Sequence, residues 1–153
     1  VTAQVSSIIQ QEIIDYLKAR TSVTAVCRNI IKYDGQLNDK AKIAEFALTL
    51  PAILVFYNDT NYDVNAEGNS KYRIESVYQV LVCSNNIASR TSKNDEVLDL
   101  KDLVINELTG AAIDFTISSV DYKFNIEVLS DTMITRDADL SVNGIVISVV
   151  GMR

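Results

Sequence analysis

Ser-Val-Tyr-Gln-Val-Leu-Val-Cys-Ser (76–84) and Asp-Glu-Val-Leu-Asp-Leu-Lys-Asp-Leu-Val-Ile-Asn-Glu-Leu (95–108) decide how this chain is read. The first becomes almost wholly apolar toward its end, the pattern of a central strand covered on both faces. The second has a helical period. On a 100° wheel Val97, Leu100, Val104, Ile105 and Leu108 fall in one sector with Leu98 at its edge, and Asp95, Asp99, Asp102 and Asn106 fall opposite. Lys101 alone intrudes on the apolar sector, where its aliphatic stem can lie along the surface with the ammonium in water. Gly110 stops the helix, and Asn85 to Asn94 reads as a polar link before it. A strand therefore feeds a helix that must pack back on its sheet.

Working outward, residues 4–20 read as an opening helix with Val5, Ile9, Ile13, Tyr16 and Leu17 on one stripe, ended by Thr21-Ser22. Val23 to Tyr33, rich in β-branched residues, contains a strand, with Asp34-Gly35 as a turn. Asn38 or Asp39 caps a short helix to about Leu48, with Ile43, Phe46 and Ala47 inward. Pro51 suits the first position of a continuously apolar strand, Ala52 to Tyr57. Asn58 to Ser70 is polar and reads as a long loop, with Tyr62 as the natural anchor for a partner. Lys71 to Ser84 is the return strand. Strict alternation marks strands at 113–117 and 121–130. Ser130 to Asp139 reads as a loop, and Leu140 to Val150 is the last strand, with Asn143-Gly144 a bulge or break.

The expected fold is α+β. A mainly antiparallel sheet of 51–57, 71–84, 121–130 and 140–150 carries an N-terminal helix and the central amphipathic helix packed on one face. At 153 residues, without repeat or linker, the chain reads as a single domain over 1–153. Hydrophobic residues at 48% and charged residues at 22% suit a globular protein, and no apolar run reaches a membrane span. With no basic-then-apolar leader either, the expectation is a cytoplasmic protein without a membrane partner. Cys27 and Cys83 read as reduced, buried thiols.

Histidine is absent, which removes the commonest general base, imidazole-dependent triads and most zinc sites. No phosphate-binding glycine loop and no CxxC occurs. Carboxylates are the chemistry left. Asp95, Glu96, Asp99 and Asp102 on one helix, and Asp131, Asp137 and Asp139 near one loop, read as solvated acids, and Asp137-Ala-Asp139 lacks the rest of an EF-hand. The expectation is no enzyme, no cofactor and no metal. A net charge of −6, from 14 bases and 20 acids, argues against specific nucleic-acid binding. An acidic surface can still let DNA slide past.

Leu-Lys-Ala-Arg (17–20), Tyr-Asp-Gly (33–35), Pro-Ala-Ile-Leu-Val-Phe-Tyr (51–57), Tyr-Gln-Val-Leu-Val (78–82), Asn85 with Arg90, and Leu-Thr-Gly (108–110) follow one another in this order. Together they resemble the small tail protein family of Mu-like contractile-tailed bacteriophages, similar in element order to phage tail terminators. The resemblance spans nearly the whole chain through short structural motifs. It implies a structural virion protein, made in the host cytoplasm and placed at the tail and neck. Such a subunit forms a homo-oligomeric ring, a hexamer, that caps the tail tube and meets sheath, tube and neck or connector proteins, with DNA passing through its lumen. Another neck or tail-completion adaptor and a small-molecule-binding α+β domain are the other readings. An acidic ring needs its bases at subunit boundaries, so Arg28, Lys71, Arg73 and Arg90 join Tyr62 as expected interface residues, beside a neutral to acidic lumen.

Overall fold

The computed structural model describes residues 2–46, 49–64, 72–84, 90–117, 119–136 and 140–152. It is α+β, as the pattern implies. Its elements are α1 (Thr2–Lys18), α2 (Thr21–Thr24), β1 (Asn29–Lys32), α3 (Lys40–Phe46), β2 (Ala52–Val64), β3 (Tyr72–Ser84), α4 (Arg90–Leu108), β4 (Ala112–Ile117), β5 (Val120–Arg136) and β6 (Ser141–Met152). The strands form one six-stranded sheet in the order β1-β2-β3-β6-β5-β4. Only β1 with β2 is parallel.

The decisive stretch behaves as its pattern requires. Alternate residues of β3 enter two different cores: Val80 and Val82 point to the face carrying α1 and α4, Leu81 and Cys83 to the face carrying α3. On α4, Val97, Leu100, Val104 and Leu108 are buried, while Leu98, Asp99, Asp102 and Asn106 face solvent. Gly110 takes the left-handed conformation just past the helix, where a Cβ would be strained. The helix starts earlier than its apolar stripe, at Arg90, inside what reads as a polar link, because hydrophilic residues extend an established helix at little cost.

Helix α1 buries Val5, Ile9, Ile13 and Leu17 of the expected stripe, half-buries Tyr16, and buries Ile14 as well. It touches β1 and β2 near one side of the sheet and β4 at the other, so the sheet curls around it and covers more than one stripe. After Lys18 the chain adds one further helical turn, α2, which buries Val23. Asp39 rather than Asn38 caps α3, its Oδ1 accepting the Lys42 N–H at 2.8 Å. Of the residues expected inward there, Phe46 is buried and Ile43 half-buried, while Ala47 lies outside the described residues.

Three expectations need correction. Of the loop expected over Asn58 to Ser70, Asn58 to Val64 is strand, extending β2 against β3 with Asn58 as the irregular residue between Tyr57 and Asp59, and Asn65 to Ser70 lie outside the described residues. Ser130 to Arg136 is likewise strand, paired with β6. Asn143-Gly144 is neither bulge nor break. The irregularities sit opposite, on β5, where Leu129 and Ile134 are skipped by the register. A Cβ at Gly144 would come within 2.6 Å of Ile134 Cδ1, the tip of an exposed side chain that would have to turn aside.

Both cysteines are free and buried. Burial pushes both thiols above their ordinary range, which keeps them protonated and unreactive at neutral pH.

Candidate assembly interface

The two long strands that sequence reading shortens create the unusual geometry of this sheet. Strand β1 flanks β2 only along Ala52–Val55, and β4 flanks β5 only along Val120–Asn125. Beyond those limits, among the described residues, β2 from Phe56 onward and β5 from Glu127 onward have a strand on one side only. The sheet is therefore stepped. At the end marked by Ala52, Ser84 and Ser141 the outer strands are β1 and β5. At the end marked by Arg73 and Met152 they are β2 and β4.

The exposed large apolar side chains gather on these one-sided stretches: Phe56, Tyr57 and Tyr62 on β2, Leu129 and Ile134 on β5, with Val26 and Leu98 elsewhere. Leu129 and Ile134 are 55% and 52% exposed because each is a bulge residue turned out of the ladder. An edge of this kind, unpaired in backbone and apolar in side chain, is a template for another chain.

The β2 extension is held to α1 through hydroxyls rather than apolar packing. Thr60 Oγ1 lies 2.9 Å from Ser76 Oγ, 3.1 Å from Ser6 Oγ and 2.7 Å from the Tyr57 hydroxyl. The Tyr78 hydroxyl donates to Ser6 O at 2.7 Å. This network explains why polar residues form a strand here: they satisfy one another against the helix. Burial pushes the Tyr78 hydroxyl well above its ordinary value, against a smaller opposite pull from Ser76.

Of the residues expected at an interface, Tyr62 and Arg73 come together on adjacent strands and Arg28 lies apart from them. Tyr62 lies on the β2 extension, 40% exposed. Arg73 is on β3 at the same end, its side chain half exposed and 3.3 Å from Glu75. Arg28 is exposed at the opposite end, beside the start of β1. Arg90 opens α4, with only its backbone described, and Lys71 lies outside the described residues. Nothing local marks Leu129 and Ile134 as residues skipped by their register, and Phe56 continues an apolar run and is exposed only because β1 stops at Lys32.

Asp137 and Asp139 lie outside the described residues, as do the side chains of Asp95 and Glu96. Among the described residues no group of three or more potential ligands could hold a metal. Asp131 is instead drawn to Lys101, whose Nζ lies 3.3 Å from it and 3.2 Å from Asp102. The Lys101 side chain is only 15% exposed, so its ammonium ends between two carboxylates rather than in open water. Burial alone would lower its pKa, but the hydrogen bonds and the negative charges of Asp102 and Asp131 together outweigh that and raise it. An open cleft between β1 and α3 is lined by Asp34, Gln36, Lys42 and Glu45, among others. Its Gln36 is already committed, Oε1 to the Asp34 N–H and Nε2 to Lys32 O. No described helix is long and apolar enough to cross a membrane.

Among solved structures the chain is similar to one from the virion of a native gene transfer agent (GTA) particle. The TM-score is 0.59 over 94% of this chain and 94% of that one, at 13% identity. The two chains share one fold. No protein-family model and no curated protein matches the sequence.

Proposed function

We propose that the protein is a structural component of a phage-like particle: a tail-terminator subunit that forms a hexameric ring, caps the tail tube and joins it to the neck. The observation that carries this reading is the likeness, over nearly the full length of both chains, to a chain of a gene transfer agent virion. The stepped sheet supports it, since a subunit with unpaired edges on two different sides is suited to contact two neighbours. The role is architectural, with no reaction to catalyse.

In such a ring the net charge of −6 per subunit repels DNA and keeps it centred, so the lumen is neutral to acidic. Arg28, Lys71, Arg73 and Arg90 serve boundaries and docking faces, and Tyr62 meets a protein outside its own subunit. Apolar contact supplies most of the affinity, since exposed ion pairs contribute only about 0.2–1 kcal/mol each.

Two measurements test this. The mass in solution should be six subunits, with rings visible by negative-stain microscopy. Deleting the gene in a producing strain should give tails of uncontrolled length that lack heads. Tails of normal length without heads would point to a neck adaptor instead. Normal particles after deletion would exclude both roles.

A further inference from the structure

Resting on the ring reading, we infer that neighbouring subunits join by β-addition, the β1 edge of one copy pairing antiparallel with the Glu127–Arg136 edge of the next. The step geometry points to this. β1 is the outer strand on one side of the sheet, at the end where β5 is the outer strand on the other. The two edges face away from each other, so one chain cannot pair them with itself. A second copy related by rotation can, and such head-to-tail contacts give a ring where the rotation closes.

Height and direction also agree. The ladder connects Lys32 to Val55, Val80, Ile145 and Asp131 in turn, so Lys32 and Asp131 stand level on opposite sides of one sheet. In a ring whose strands run along its axis, side-by-side copies bring one subunit's Lys32 level with the next one's Asp131. β1 runs parallel to β2, β2 antiparallel to β3, β3 to β6 and β6 to β5. Hence β1 and a neighbour's β5 meet antiparallel.

Charge selects the same pairing. Lys32 is exposed, and β1 contains no acid. On the β5 edge Glu127 and Asp131 are both exposed. The Lys101 ammonium already at Asp131 orients that carboxylate and leaves its second oxygen for the partner. Arg28 stands level with Arg136 and adds no attraction, so Lys32 is the residue to test. Leu129 and Ile134 supply the apolar surface that this pairing covers.

The test combines mass measurement with crosslinking of the full chain. Lys32→Cys with Asp131→Cys, under mild oxidation, should give a ladder of covalent oligomers ending at the ring. Each single variant should give none, since Cys27 and Cys83 are buried. Lys32→Glu should raise the concentration for half-assembly about tenfold, while Lys42→Glu on exposed α3 leaves it unchanged. A wild-type ring with no crosslink, and with Lys32→Glu assembling normally, would overturn the edge pairing and leave the ring standing. A wild type that stays monomeric at every concentration, with a double cysteine variant that gives no crosslink, would overturn both.

Discussion

The two halves of β2 are one strand in two environments. Ala52, Ile53, Leu54 and Val55 are fully buried, with β1 on one side, β3 on the other and a core against each face. Phe56, Tyr57, Asn58, Asp59, Asn61 and Tyr62 are exposed, with β3 alone beside them. Composition follows the cover: the strand is apolar while both faces are packed and turns polar where one face meets water. Backbone pairing therefore carries on past the irregularity at Asn58 where side-chain burial does not, and the two halves should respond differently to change.

The largest contrast is between Leu54 and Asn61. Leu54→Ala should lower unfolding free energy by about 3 kcal/mol through lost burial and a cavity, and Asn61→Ala should stay within about 0.5 kcal/mol. Urea denaturation of the two variants measures this, and equal losses would break the contrast. The same logic applies to α4: Val104→Ala should cost about 2 kcal/mol and Leu98→Ala, at the solvent edge, less than about 0.5.

Tyr78 pairs with Tyr57 where the two halves meet, and sharpens the boundary. Tyr78→Phe should cost about 1 kcal/mol at neutral pH, the hydrogen bond to Ser6 O being lost. Because its pKa is raised on folding, the neutral phenol contributes stability that is whole below the ordinary tyrosine value of about 10. That contribution declines as pH rises toward the folded value. Wild-type stability should therefore fall above about pH 10, and Tyr78→Phe should fall less steeply. Parallel alkaline unfolding curves would contradict this.

The smallest effect belongs to the β5 edge. Lys101→Met should cost about 0.2–1 kcal/mol, by removing the link between α4 and Asp131. The difference from wild type should shrink in high salt, since partly exposed pairs are screened. A loss beyond about 3 kcal/mol would mean that the edge is core rather than rim.

Legibility tracked cover. Both helices and both faces of β3 were readable because a packed neighbour imposes a period of 3.6 or 2 on apolar residues. Asn58–Val64 and Ser130–Arg136 were not, since their pairing rests on backbone bonds to β3 and β6 that leave no apolar signature. Thr60 belongs to a strand because Ser6, Ser76 and Tyr57 surround it, residues scattered across the chain. The bulges at Leu129 and Ile134 were equally hidden, because a skipped residue is defined by its partner strand and not by its own chemistry.

Local chemistry alone settled the α+β class, the central helix and its stop at Gly110, the buried thiols and the lack of imidazole chemistry, because each depends on residue type and short-range period. Strand order, the parallel placement of β1, the true lengths of β2 and β5 and the resulting steps depended on pairings between residues far apart in the chain. Backbone hydrogen bonding is nearly indifferent to side-chain identity, so only the assembled sheet could place the edges where a neighbour would dock.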